Sequence, residues 1–191
     1  MMQQDDLKYS WLHWWNQAFL QRVDNSWHNV LPWFQLTVHQ QQQLLVFTPQ
    51  ALPELLLIPT ILPPEPDQRL LRWVALSAAQ QHAVFRLVTE ICQPLDRGLT
   101  DEDLTWCSRL SRALRPGIWL PAQRDLYQPS QQLSLLQPLF DPACWQRLRL
   151  RFPVDQVTES ERITRSFPSL PIKRLQALWD AVLWRIQQEH L

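Results

Sequence analysis

The chain has 191 residues, 46% of them hydrophobic, and its 18 basic and 18 acidic residues give a formal net charge of zero. This length is sufficient for one domain with a sizeable core, and the composition is typical of a soluble globular protein. The balanced charge argues against a nucleic-acid-binding protein, because phosphate recognition depends on an excess of basic residues.

The first predicted element is an amphipathic helix over residues 5–23. Its apolar side chains recur on one helical face, at Leu7, Trp11, Trp14, Trp15 and Ala18. Packing in the core is the usual role of such a stripe, and a contact with a partner protein is the alternative, because tryptophan is enriched at interfaces. Trp14 is our candidate partner-binding residue here. Ser26 is expected to cap a short second helix that ends before Pro32.

Prolines dominate residues 48–66, and residues 59–66 are predicted to form an extended connector. We favour a crossover within one domain over a domain boundary, because residues 1–58 alone would make a marginal core. The most hydrophobic stretch, residues 44–62, contains Glu54 and several prolines, so no membrane-spanning helix is predicted there.

Three further apolar periodicities predict helices. The longest covers residues 67–92 and weakens around Ser77, which allows either one helix or two. Thr100 is expected to cap the next helix, which Pro116 closes. A shorter helix is expected to begin at a Ser130 cap.

A final stripe predicts an amphipathic helix over residues 170–188, preceded by a solvent-facing helix or turn over residues 154–166. Because alternating runs are few, we predict an all-α fold. It is expected to be a single compact, irregular helical bundle over residues 1–191, with a proline-rich crossover at about 48–66.

Residues 141–153 form a short element whose limits follow from the local sequence. Asp141 suits a helix N-cap, Pro142 fits the first helical position, and Pro153 ends the element. The alternation of residues 147–152 also permits a strand, and the capping signals favour a helix.

A basic cluster lies within this element, made of Arg147, Arg149 and Arg151. One interpretation is a solvated or ion-paired face. The other is a protein interface, in which the arginines flank an apolar edge formed by Leu148, Leu150 and Phe152. The candidate partner-binding residues are therefore these three arginines together with Trp14.

Nothing in the sequence indicates an enzyme. Two glycines in the whole chain leave no phosphate-binding loop, dinucleotide fingerprint or nucleophile elbow. Cys92, Cys107 and Cys144 are widely separated, so they predict neither a zinc module nor a disulfide framework, and they suit a reducing cytosol. We therefore predict a non-enzymatic protein with no catalytic residue, no cofactor and no metal.

A Cys-Trp pair followed by an Arg-Leu-x-Leu-Arg-Phe-Pro run occupies residues 144–153 and resembles the SctK family, which includes YscK, OrgA and MxiK. Softer similarities are the Leu-Pro-Trp-Phe stretch at residues 31–34, the Gly-Ile-Trp-Leu-Pro run at residues 117–121, and the terminal amphipathic helix. Members of this family are cytosolic accessory proteins of the bacterial type III secretion sorting platform.

The resemblance implies a cytoplasmic adaptor that links the SctQ-type pod protein to the cytosolic domain of the SctD-type inner-membrane ring protein. It implies peripheral association with the secretion apparatus through protein contacts, without direct membrane insertion. The alternative function is a cytosolic chaperone or regulator that binds a secreted protein. An enzyme without a recognisable motif is a third alternative.

Overall fold

The computed structural model describes residues 4–95, 98–122, 124–166 and 170–188, and all regular secondary structure in these residues is helical, which confirms the all-α prediction. In chain order the α-helices are α1 (Gln4–Asn16), α2 (Val38–Phe47), α3 (Leu52–Leu55), α4 (Gln68–Ala75), α5 (Ala78–Cys92), α6 (Asp101–Leu114), α7 (Pro116–Trp119), α8 (Pro129–Leu136), α9 (Pro142–Leu148), α10 (Val154–Ser166) and α11 (Ile172–Gln188). Short 3-10 helices cover Ala18–Arg22, Asn25–Asn29, Pro32–Gln35, Pro49–Ala51, Gln137–Leu139 and Arg149–Arg151.

The chain divides into two compact units, each built from two separate segments. The first unit consists of Met1–Asp67 and Phe140–Thr158, and the second of Gln68–Leu139 and Glu159–Leu191. The single domain expected from the sequence stays a prediction. No helix among the described residues is long and apolar enough to cross a membrane.

Tryptophans from α1 form part of the core of the first unit. Trp11, Trp14 and Trp15 are all buried, and the ring centroids of Trp11 and Trp14 lie 5.5 Å apart. The indole N–H of Trp11 donates a hydrogen bond to the carbonyl of Pro64 at 2.9 Å, which attaches the proline-rich connector to α1. As predicted for a connector, residues 59–66 contain no helix or strand.

The predicted first helix over residues 5–23 is too long. α1 ends at Asn16, because the backbone of Gln17 leaves the helical region at φ −143°, and the chain continues as the 3-10 helix Ala18–Arg22. The next cap is also different from the prediction. Asp24, rather than Ser26, caps Asn25–Asn29, and its carboxylate accepts hydrogen bonds from the backbone N–H and the hydroxyl of Ser26.

Segments that are far apart in the sequence meet in the first unit at residues 24–27 and 150–154. The backbone N–H of Asp24 donates to the carbonyl of Leu150 at 2.8 Å, and the indole N–H of Trp27 donates to the carbonyl of Phe152 at 2.8 Å. The hydroxyl of Ser26 accepts a hydrogen bond from the backbone N–H of Val154 at 2.9 Å. These three bonds hold the 24–27/150–154 contact together.

The element at residues 141–153 is helical, which confirms the preferred interpretation over the strand. The carboxylate of Asp141 accepts a hydrogen bond from the N–H of Ala143 at 2.8 Å, and Pro142 occupies the first turn of α9. After the 3-10 helix Arg149–Arg151, the backbone becomes extended at Phe152. This matches the restriction that Pro153 imposes on the residue before it.

In the second unit, the long pattern over residues 67–92 is two helices, as the weakening around Ser77 allows. α4 ends at Ala75, and Ser77 starts α5 with a capping box in which the side chains of Ser77 and Gln80 each bond the backbone of the other residue. Ser77 accepts one of the backbone N–H bonds that a helix start leaves without a partner. This local gain favours a new helix over a continuous one.

The core of the second unit contains three mutually perpendicular aromatic rings. Trp73 of α4 and Trp179 of α11 have ring centroids 5.6 Å apart at an interplanar angle of 79°, and Phe85 of α5 lies 5.3 Å from Trp73. Edge-to-face pairs of this kind contribute stability beyond the burial of area. At the edge of this core, Arg69 forms a two-pronged ion pair with Asp180.

Two further capping predictions differ in outcome. Thr100 caps α6 by accepting a hydrogen bond from the N–H of Asp103, which confirms the prediction, and the helix ends at Leu114 before Pro116. Ser130 does not cap α8, because Pro129 already occupies the first helical turn and Gln128 stands at the N-cap position. Proline fits the first helical position because it has no N–H to satisfy.

Candidate partner-binding surface

Trp14, a predicted partner-binding residue, does not present an accessible surface to a partner. Trp14 is 4% exposed, and its ring lies edge-on to that of Trp15 at 6.4 Å between centroids. Core packing, which the sequence analysis gives as the usual role of such a stripe, describes this residue.

Arg147 is likewise buried rather than presented to a partner on the surface. Arg147 is 3% exposed, and its guanidinium carbon lies 3.5 Å from the centroid of the Trp15 ring. Nε donates to the carbonyl of Trp15 at 3.2 Å, and Nη1 donates to the carbonyl of Ala143 at 3.3 Å. Arg147 is therefore not part of a solvated face, because cation–π and backbone contacts hold its guanidinium in the interior.

The apolar edge expected beside the arginines is not at the surface either. Its three residues are all buried: Leu148, Leu150 and Phe152. Arg149 and Arg151 are half-buried, and the guanidinium of Arg149 lies 5.5 Å from the centroid of the Trp27 ring. A partner-binding role for Arg149 and Arg151 stays a prediction.

The cysteine thiols are held in their protonated form. Burial raises the pKa of Cys92, Cys107 and Cys144 to about 12 each. Nearby acids reinforce the pKa increase, from Glu90 and Asp103 at Cys107 and from Asp141 and Asp67 at Cys144. A protonated thiol is a poor nucleophile and a poor metal ligand. Among the described residues, no group of histidines, cysteines and acids has the arrangement of a metal site.

These pKa values predict an alkaline loss of stability. The thiols of Cys107 and Cys144 have a higher pKa in the folded than in the unfolded chain, so their contribution is complete below the unfolded pKa of about 8.5 and is lost as the pH rises towards 12. When the pH is raised from 8 to 10, we expect the contribution of each thiol to the free energy of unfolding to fall by about 1 to 2 kcal/mol. Urea denaturation at both pH values measures this change. The Cys107→Ala and Cys144→Ala variants should each show a smaller decrease, and equal decreases in wild type and variants would contradict the prediction.

A cavity of about 210 Å³ in the second unit is lined by polar residues that include His82, Arg86 and Glu90. Other polar groups of its lining are hydrogen-bonded within the unit. The hydroxyl of Thr89 donates to the carbonyl of Leu126 and accepts from the side-chain amide of Gln132. Hydrogen bonds of this kind hold the lining in place, as a structural network does.

Helix α2 presents an exposed apolar surface in the first unit. It begins with a capping box between Thr37 and Gln40, and none of its ten residues is buried. Val38, Val46 and Phe47 are exposed, with Phe47 at 79%. A short helix without a buried face gains little from packing, so its apolar residues are expected to be covered by something else.

The apolar surface of α2 has further exposed apolar neighbours in the sequence. Leu57, Ile61 and Leu62 follow within the proline-rich crossover, and Leu62 is 88% exposed. A groove of about 390 Å³ is lined by Leu36, Leu44 and Phe47, together with the glutamines of α2 that lie beside them, Gln40 and Gln43. We call α2 and this groove the α2 surface.

Helix α2 is not among the helices predicted from the sequence, although the sequence contains a signal for it. Thr37 and Gln40 have the spacing of a capping box, and they precede the apolar residues 44–47. The four consecutive glutamines obscure the pattern because they carry no hydrophobic periodicity.

The α2 surface, the buried thiols and the all-α fold together define a helical protein with an exposed apolar helix. Comparisons with known proteins found no match to a family model, a curated protein or a solved structure.

Proposed function

We propose that the protein is a non-enzymatic, cytoplasmic adaptor of a bacterial type III secretion sorting platform. In this role it links the SctQ-type pod protein to the cytosolic domain of the SctD-type inner-membrane ring protein, and it associates with the membrane apparatus through protein contacts. The observation that carries the proposal is the α2 surface, where Val38, Val46 and Phe47 are exposed on a helix with no buried residue. The resemblance of residues 144–153 to the SctK family supports the choice of partners.

The chemistry of α2 favours a protein partner over a lipid surface. The helix contains no lysine or arginine and no acid, and its polar side chains are those of His39 and four glutamines. Helices that lie on membranes usually combine an apolar face with several cations that attract anionic lipids. A helix with neutral polar groups and apolar side chains fits a groove on another protein, where glutamine amides find hydrogen-bond partners at the rim.

Replacing Val46 and Phe47 together by aspartate tests the proposal. Both side chains are exposed, so the double variant should keep the wild-type melting temperature. Each apolar side chain that the complex buries contributes about 1.5 to 3 kcal/mol, so we expect the affinity for the pod or the ring protein to fall by a factor of about 100 or more. Titration calorimetry with purified SctQ-type protein and SctD-type cytosolic domain measures the change.

The matched control is Ile118→Asp, which introduces an acid at an exposed apolar position of the second unit and should leave both affinities unchanged. Unchanged binding by the Val46/Phe47 double variant would exclude the α2 surface as the contact. If the wild-type protein binds neither platform protein and instead co-purifies with a secreted protein, the adaptor function is wrong and the chaperone alternative holds.

A further inference from the structure

A cavity of about 300 Å³ lies in the first unit next to α2. Its lining is mixed. Trp15, Phe19, Leu52 and Ile58, which are buried, and Leu45 of α2, which is partly exposed, provide apolar surface, and the exposed Asn16 and Gln17 provide polar surface. This volume matches the lower end of the range found for ligand pockets, about 300 to 1,000 Å³. The cavity is therefore large enough for a group of about the size of an amino-acid side chain.

The one cation in the lining of this cavity is the buried Arg147. Burial lowers the pKa of its guanidinium to about 10, which still leaves it charged at pH 7. Its described partners are two backbone carbonyls and the faces of two aromatic rings, Trp15 and Phe19. No carboxylate of a described residue pairs with it, and its Nη2 group forms no hydrogen bond with a described residue.

A buried charge without an opposite charge is costly, because neutral carbonyls and rings replace little of its hydration. A carboxylate close to the guanidinium would offset this cost through a charge-assisted hydrogen bond. The aromatic and aliphatic side chains of the lining suit a hydrophobic body, and Asn16 and Gln17 can accommodate polar groups beside it. The charge of Arg147 thus favours a carboxylate as the incoming group.

We propose that this cavity binds the carboxylate of an acidic side chain on a partner-protein segment that lies along α2. Leu45 of α2 lines the cavity and is itself 37% exposed, so a protein segment that lies along this side of α2 would reach the cavity, which favours a protein over a free metabolite. The source of the carboxylate rests on the proposed function, whereas the affinity of the cavity for a carboxylate does not. Arg147 therefore acts as a binding residue inside a pocket, rather than as part of an exposed basic cluster.

The affinity of the cavity is tested by titrating the protein with phenylacetate and, as a neutral analogue, with phenylacetamide. Binding is monitored by NMR through the indole N–H signals. For a ligand of this size we expect phenylacetate to bind with a Kd on the order of 1 mM. Phenylacetamide should bind at least about tenfold more weakly, because it lacks the charge. The Arg147→Met variant should lose the preference for the acid. Arg149→Met, which removes an arginine that does not line the cavity, should behave like wild type.

A second variant keeps the test decisive if Arg147→Met fails to fold. Gln17 lines the cavity and is exposed, so Gln17→Glu adds a negative charge there without changing the core. Repulsion between like charges should weaken phenylacetate binding about threefold or more and leave phenylacetamide binding unchanged. Equal binding of acid and amide by the wild-type protein would overturn the proposal. An acid preference that survives in folded Arg147→Met would overturn it as well.

The occupant is tested separately with the platform proteins. Arg147→Met should weaken binding of the partner that recognises α2 by about tenfold or more, because a buried charge pair is lost. Phenylacetate could bind as expected while Arg147→Met binds both platform proteins like wild type. That result would exclude a partner's acidic side chain as the occupant, and the cavity would instead bind a free carboxylate. If the wild-type protein binds neither platform protein, the proposed function fails, while the phenylacetate titration still decides whether the cavity binds carboxylates.

Discussion

Replacing Trp179 by alanine is expected to lower the free energy of unfolding by about 3 to 5 kcal/mol. Trp179 is fully buried in the second unit, and its ring lies edge-on to Trp73 at 5.6 Å and to Phe85 at 5.9 Å between centroids. The substitution removes a large apolar surface and leaves a cavity that the two remaining rings cannot fill. Urea denaturation followed by circular dichroism at 222 nm measures the loss.

The chain offers a matched control on the same helix. Trp184 also lies in α11, but it is 57% exposed, so Trp184→Ala should change the free energy of unfolding by about 0.5 kcal/mol or less. Similar effects of the two substitutions would show that the perpendicular ring cluster does not contribute the stability that its burial indicates.

Replacing Trp27 by alanine in the first unit is expected to lower the free energy of unfolding by a similar amount, about 3 to 5 kcal/mol. The residue is buried, and its indole N–H donates to the carbonyl of Phe152 at 2.8 Å in the 24–27/150–154 contact. The alanine variant loses both the ring and the donor, which leaves a buried carbonyl without its partner. Thermal unfolding and urea denaturation both measure the effect.

Trp27→Phe separates the hydrogen bond from the packing, because it keeps an aromatic ring and removes the N–H. We expect the free energy of unfolding of this variant to be about 1 to 3 kcal/mol lower than that of the wild type. Val30→Ala, at a neighbouring exposed position, should be nearly neutral. A Trp27→Phe variant as stable as wild type would mean that the bond to Phe152 contributes nothing.

Helix capping shows how much of the fold the sequence predicts. Asp141 and Thr100 were identified correctly, because each stands directly before an unambiguous helix start. Ser26 and Ser130 were wrong, since an acid or a proline lies within two residues of each and provides the better start. Local capping chemistry therefore predicts where a helix begins to within one or two residues, and competition among neighbours decides the rest.

The site residues were harder to predict, because exposure depends on contacts between distant segments. Arg147 lies in a sequence that alternates basic and apolar residues, which is typical of a surface. Its burial results from Trp15, which is 132 residues away in the chain. The exposure of Phe47 likewise depends on distant segments, because none of the described residues covers its side chain. Local sequence contains neither fact.

The 24–27/150–154 contact also has a consequence for protein synthesis. The hydrogen bond from Trp27 to Phe152 joins residues 125 positions apart, and the first unit uses segments from both ends of that interval. At translation rates of about 5 to 20 residues per second, the ribosome needs roughly 6 to 25 seconds to make the intervening chain. During that time the tryptophans of the N-terminal segment lack their C-terminal partners. A nascent chain released before Phe152 should therefore be a substrate for chaperones and proteases, while the second unit also waits for its last segment.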